Sequence, residues 1–222
     1  MFHRIFTRLG CKGRPPRFVV EFYPYANLAH TIRLREDVAL VRLSDILRRA
    51  PVQVVEAVAA VLLAQLYRLR VPREVRRLYR DYAISHSTRR HIHRVRRKRA
   101  RRIPDHPKGA AHDLAPLFTE LNHKYFGGRL RRPRLGWSVR AWRSQLGCFD
   151  PSLDQIILNR RLDQPSVPRY AVALILYHEM LHVKHPLRAA ACGLEAHSAA
   201  FRAEERQFAQ YARARKFLEN LN

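Results

Sequence analysis

The chain has 222 residues, with 43 Lys or Arg against 18 Asp or Glu, a formal charge of +25. Hydrophobic residues make up 47%, enough for one large or two small cores, so the chain is not a disordered basic tail. Cys11, Cys148 and Cys192 form no C-x-x-C pair, which argues against a zinc ribbon and a disulfide framework and fits a reducing compartment.

Met1 to Gly10 carries Arg4 and Arg8 with no apolar run between them, so no signal-peptide core is expected. Residues 18–23 read as a strand. Residues 31–34 and 38–41 flank Arg35-Glu36-Asp37 and read as a β-hairpin. Ser44 is an N-cap for a short helix through Arg49. Pro51 and Pro72 each open a helix at its first turn, the first running to about Arg70. The first of these is interrupted by Gln53, Glu56, Gln65 and Arg68, so it is a buried helix and not a membrane span. A cytoplasmic protein is expected.

Charge is unevenly placed. Residues 1–108 hold 26 basic and 8 acidic residues, whereas 109–222 hold 17 and 10. The densest block contains Arg89, Arg90, Arg94, Arg96, Arg97, Lys98, Arg99, Arg101 and Arg102 with no acid among them. Such a run can neutralise phosphates and release counterions, which makes DNA or RNA a candidate partner. The plainer alternative is a solvated helix or linker. Of the 43 basic residues 37 are Arg, a bias that GC-rich codon usage would also produce. Residues 103–109, rich in Pro and ending in Gly, read as a linker. The expected division is therefore a basic N-terminal extension, 1–108, and a second domain, 109–222.

In the second half Asp113 caps a helix with Leu114, Leu117, Phe118, Leu121 and Tyr125 on one face, and Gly127-Gly128 ends it. Short strands follow at 135–140, 146–149 and 155–159, with Asp150-Pro151-Ser152 turning the hairpin. Residues 170–177 are uncharged and lead into His178-Glu179-Met180-Leu181-His182, an H-E-x-x-H run. Four residues advance a helix about one turn, so both imidazoles leave one face and can reach a single Zn²⁺ at about 2.0–2.1 Å. Glu179 is displaced around the helix, where its carboxylate can face a metal-activated water. The composition would produce this pattern by chance only about 0.03 times. Two core histidines would be costly without a partner. Pro186 is expected to stop the helix.

A catalytic zinc usually takes a third protein ligand. Six residues past His182 stands Arg188, so the metzincin arrangement does not apply. His185 lies near the same face at the ending helix and is set aside as a decoy or outer partner. His197 opens the last amphipathic helix, whose apolar positions are Phe201, Phe208, Tyr211 and Leu218. Glu204 is the rival, and His197 is preferred to it.

From about Ala111 to Phe208 the sequence resembles the SprT-like zinc metallopeptidase domain, the group of SprT and Spartan. The resemblance rests on Tyr125-Phe126-Gly127-Gly128-Arg129-Leu130 after the opening helix, Leu135-Gly136-Trp137-Ser138, Leu146-Gly147-Cys148-Phe149, Gln155-Ile156-Ile157-Leu158-Asn159, the H-E-x-x-H run, and His197-Ser198-Ala199-Ala200-Phe201. Ser198 stands where the family usually has Gly. That His-Ser-x-x-Phe form is also similar to YgjP-type metal-dependent hydrolases. The resemblance implies an α+β, zincin-like fold with the motif helix on a small three-stranded sheet. It implies His178, His182 and His197 as zinc ligands and Glu179 as the general base that acts on a zinc-activated water. Relatives often add a C-terminal zinc ribbon, which is not expected here. By analogy, the substrates would be nucleic-acid-associated proteins. A peptide would bind by strand addition near 146–149. Arg140, Arg143 and Tyr177 are candidates for oxyanion stabilisation. The alternative function is a nucleic-acid-binding protein whose zinc site is structural or idle.

Overall fold

A computed structural model describes residues 1–185, 188–190 and 193–221; the helix stop assigned to Pro186, and Cys192, lie outside them. The described residues form an α+β structure with eight α-helices and two small three-stranded sheets. The chain divides into two compact units, Met1–Ala100 and Arg101–Asn222. No described helix is long and apolar enough to cross a membrane.

The first unit begins with α1 (Phe2–Arg8), which sequence reading did not anticipate. Its buried residues Phe2, Ile5 and Phe6 share one helical face. Then come β1 (Arg17–Tyr23), β2 (His30–Arg35) and β3 (Val38–Ser44), in sheet order β1-β3-β2. β2 and β3 form the hairpin, tightly turned through Glu36 at φ 50°. β1 joins β3 in parallel, Arg17 opposite Val38. Alternate β3 residues Ala39, Val41 and Leu43 are buried, so one face of the sheet covers the core. The Ser44 hydroxyl accepts from the Ile46 amide at 3.4 Å and starts a 3-10 turn, Asp45–Arg49. α2 (Val52–Leu66) supplies Val54, Val58, Leu62 and Leu63 to the core; it ends short of Arg70 because Arg68 takes φ 54°. α3 (Arg73–Ile84) has no fully buried residue. α4 (His86–Arg99) is capped by the Ser85 hydroxyl, which accepts from the Thr88 amide.

His30 ties this unit together. Its Nδ1 accepts the Ser44 amide at 3.2 Å, and Nε2 lies 3.0 Å from the Tyr79 hydroxyl on α3. A protonated ring could not accept from that amide, and burial holds the His30 pKa down to about 4. The folded value lies below the unfolded value of about 6.5, so both states are neutral above pH 6.5. As pH falls from 6.5 toward 4 the unfolded chain takes up a proton that the folded chain refuses. We expect the unit to lose about 2 kcal/mol between pH 6.5 and 5. Amide exchange across β2 and β3, corrected for the intrinsic rate, reads this. Equal protection at both pH values, or the same loss in His30→Gln, would refute it.

The second unit starts earlier than expected. Residues 103–109 are not a free linker, because carboxylates and amides of the unit hold the segment down. The Asp105 carboxylate accepts from Arg132 at 2.9 and 3.1 Å and from the Leu135 amide at 3.0 Å. The Ile103 amide donates to Gln155, and Asp163 accepts the amides of Ala110, Ala111 and His112. α5 (Leu114–Phe126) has Asp113 accepting from the Ala115 amide, and it ends at Gly127 with φ 61°, a conformation that favours glycine. β4 (Arg134–Trp137), β5 (Gly147–Asp150) and β6 (Gln155–Leu158) stand in the order β4-β6-β5, with β4 parallel and β5 antiparallel to β6. α6 (Arg169–Lys184) is buried along most of its length and packs on β5 and α5. A two-stranded ribbon, β7 (Arg188–Ala190) and β8 (Gly193–Glu195), was not foreseen.

The single last helix expected from the sequence is two, α7 (Ala199–Glu205) and α8 (Tyr211–Glu219). The break has a packing cause. Phe208 enters an aromatic group with Tyr125 and Tyr177, at centroid distances of 5.9 and 5.7 Å. The Ala209 amide donates to the Tyr125 hydroxyl instead of to a carbonyl one turn back.

Candidate metal centre

α6 places His178 and His182 one turn apart, with ring centroids 4.9 Å from each other. His197 sits just before α7, whose start is fixed by the Ser198 hydroxyl accepting the Phe201 amide at 3.2 Å. The Nε2 atom of His197 lies 3.2 Å from Nε2 of both His178 and His182. Behind them stands Phe201, fully buried, with its ring 5.1, 4.7 and 4.8 Å from those of His178, His182 and His197. It sets a rigid apolar back wall for three polar rings.

These residues fit a zinc ion. Nitrogens about 2.0–2.1 Å from a tetrahedral ion stand about 3.3–3.4 Å apart, close to the spacing found. Ligation needs neutral imidazoles. Burial, then the neighbouring His178 and His197, holds His182 down to about 4, and burial followed by His178 also lowers His197. Among the described residues these three histidines are the group that could share one ion.

Sequence reading missed Glu205. The Nδ1–H of His178 donates to Glu205 Oε1 at 2.6 Å, which leaves Nε2 as the free lone pair facing the other two rings. That bond, more than burial, sets the balance and keeps the Glu205 carboxyl below its ordinary range. Phe201 and Glu205 stand four apart on α7 and so lie on one side of it, the side that meets His178. Glu204, the rival ligand, stands outside the cluster. It accepts from Lys184 at 2.6 Å and lies 3.1 Å from His185 Nε2, so both residues clamp the end of α6.

Glu179 is 5% exposed and borders a cleft of about 680 Å³ shared with His178, Gly147 and Arg143. Burial drives its pKa up to about 7, against the opposing pull of His178 and a hydrogen bond donated by the Phe149 amide. β5 is one of the sheet's two edge strands, and through the Phe149 amide part of it is already used to hold this carboxylate. Gly147 makes the carboxylate's room: a Cβ there would stand 2.5 Å from Glu179 Oε1. Gly147→Ala should therefore shift the carboxylate and, in the zinc peptidase that the sequence leads us to expect, reduce hydrolysis on the order of 10²-fold with zinc content unchanged. Metal analysis beside an activity assay checks this, and full activity in the variant would rule it out.

Of the other candidates, Arg143 lines the cleft and Arg140 does not. Tyr177 is buried, with its hydroxyl donating to the Glu204 carbonyl at 2.8 Å, and burial pushes its pKa up to about 12. It serves packing in the aromatic group.

The basic block divides between the two units. Arg89, Arg90, Arg94, Arg96, Arg97, Lys98 and Arg99 lie on α4, while Arg101 and Arg102 are exposed at the start of the second unit. Arg99 is engaged: its guanidinium meets both oxygens of Asp45 at 2.7 Å. Arg89 and Arg96 are half-buried, and the remaining α4 cations are exposed.

No family model, no curated protein and no solved structure matches the chain.

Proposed function

We propose that the chain is a zinc-dependent metallopeptidase of the SprT-like kind, with a zincin-like arrangement of α6, α7 and β5 around the site. The observation that carries this reading is the meeting of three imidazole nitrogens, with that of His197 3.2 Å from each of the other two, beside a buried carboxylate that opens on a cleft. His178, His182 and His197 would hold the ion. Zinc bound there supplies Lewis acidity to a scissile carbonyl and to water.

The chain's own residues do the rest. Glu205 fixes the His178 tautomer through Nδ1. The Phe149 amide orients the Glu179 carboxylate, and Gly147 leaves it space. Glu179 accepts a proton from the attacking water at its carboxylate oxygen and returns it to the departing amine nitrogen. Phe201 keeps water from the rear of the rings. The outer edge of β5 beside Gly147 offers main-chain groups to an extended peptide. Proteins associated with nucleic acid are the proposed substrate class.

The purified chain should hydrolyse an unfolded protein such as casein, lose that activity to a chelator, and regain it with zinc alone. Hydrolysis that survives complete metal removal would exclude this function.

A further inference from the structure

The peptidase reading uses none of the first unit's charge, where residues 1–100 hold 23 Lys or Arg against 7 Asp or Glu. That charge is not spread evenly over a convex surface. Between the 3-10 turn Asp45–Arg49 and α4 runs a groove of about 640 Å³. One wall carries Arg48 and Arg49, and the other carries Arg94 and Lys98, all exposed. Arg94 and Lys98 are four residues apart, so they project from one side of α4, one turn from each other. The one carboxylate among the residues lining the groove is Asp45, and Arg99 already neutralises it through both oxygens. The same pair of bonds staples the turn to the helix and fixes the groove's width. Arg48 is steadied by the Phe22 ring, 5.0 Å from its guanidinium carbon.

We infer that this groove seats the phosphodiester backbone of a nucleic acid. Four uncompensated cations on two facing walls match a chain of phosphates that enters a concavity. A lipid surface is flat and would meet one wall only. The hydroxyls of Tyr82 and Ser87 on the lining add donors for phosphate oxygens. The assignment differs from that of the basic block as a sequence run. It adds Arg48 and Arg49, which lie outside the run, and leaves out Arg99, whose charge is spent on Asp45.

The test is a titration of the full chain with a labelled 30-base-pair DNA duplex, and its single strand, from 50 to 200 mM salt. Four phosphate contacts predict a slope of about −3.6 on the duplex, a loss of about 150-fold over that range. Arg94→Gln with Lys98→Gln, and separately Arg48→Gln with Arg49→Gln, should each bring the loss to about 12-fold. Arg90→Gln with Arg97→Gln removes the same charge from exposed positions of α4 outside the groove and should leave the wild-type slope. Unchanged circular dichroism in all three pairs shows that folding is intact. Equal effects of the three pairs would mean diffuse attraction and overturn the groove. So would absent DNA binding at 50 mM salt, or binding to phosphatidylserine vesicles in its place.

Discussion

Glu179→Gln is expected to keep one zinc per chain and to lower peptide hydrolysis about 10²- to 10⁴-fold, the range for loss of a general base. The amide has the size of the carboxylate, so the room left by Gly147 remains filled and the Phe149 amide can still donate to the side-chain oxygen. It cannot accept the proton. Burial already disfavours the charged form of Glu179, so the neutral replacement should melt no lower than the parent. Folding failure is thus separated from chemistry. Loss of zinc together with activity would make Glu179 a structural group, and undiminished activity would remove it from the mechanism.

His197→Ala should have the larger effect on the metal. It deletes the nitrogen that stands 3.2 Å from each of the other two, and no other described carboxylate or thiol joins the group. The loss of zinc affinity should exceed the 10- to 100-fold that removal of an outer partner costs. Glu205→Ala deletes such a partner and should fall within that range. Glu204→Ala should leave affinity near the parent, because Glu204 pairs with Lys184 and His185. A competition titration against a zinc chelator gives all three values. If Glu204→Ala releases zinc while His197→Ala holds it, the third ligand is misassigned.

Local signals were the legible ones. The His pair on α6, the Asp113 cap and Gly127 end of α5, the prolines before α2 and α3, and the β2–β3 hairpin are each written within a few residues. His197 could be found because it opens a helix next to Ser198. What escaped depends on distant partners. The parallel seat of β1 beside β3 leaves no mark in the period of β1 itself. Residues 103–109 carry a linker's composition, yet the Ile103 amide donates to Gln155 and the Asp105 carboxylate accepts from Arg132 and the Leu135 amide. The break between α7 and α8 follows from Tyr125, more than eighty residues away. Glu205 looked like any solvated acid next to Glu204, and only packing tells the two apart: one faces His178, the other the end of α6.

Gly147 and Glu179 lie 32 residues apart in the chain, yet sterically they are one object, since the absent side chain of the first is the volume occupied by the second. Neither position is free to vary alone. A bulkier residue at 147 demands a shorter one at 179, and a shorter acid at 179 leaves a hole that 147 could fill. Their mutational effects should therefore be non-additive, and in any set of descendants of this chain the two sites should change together or not at all.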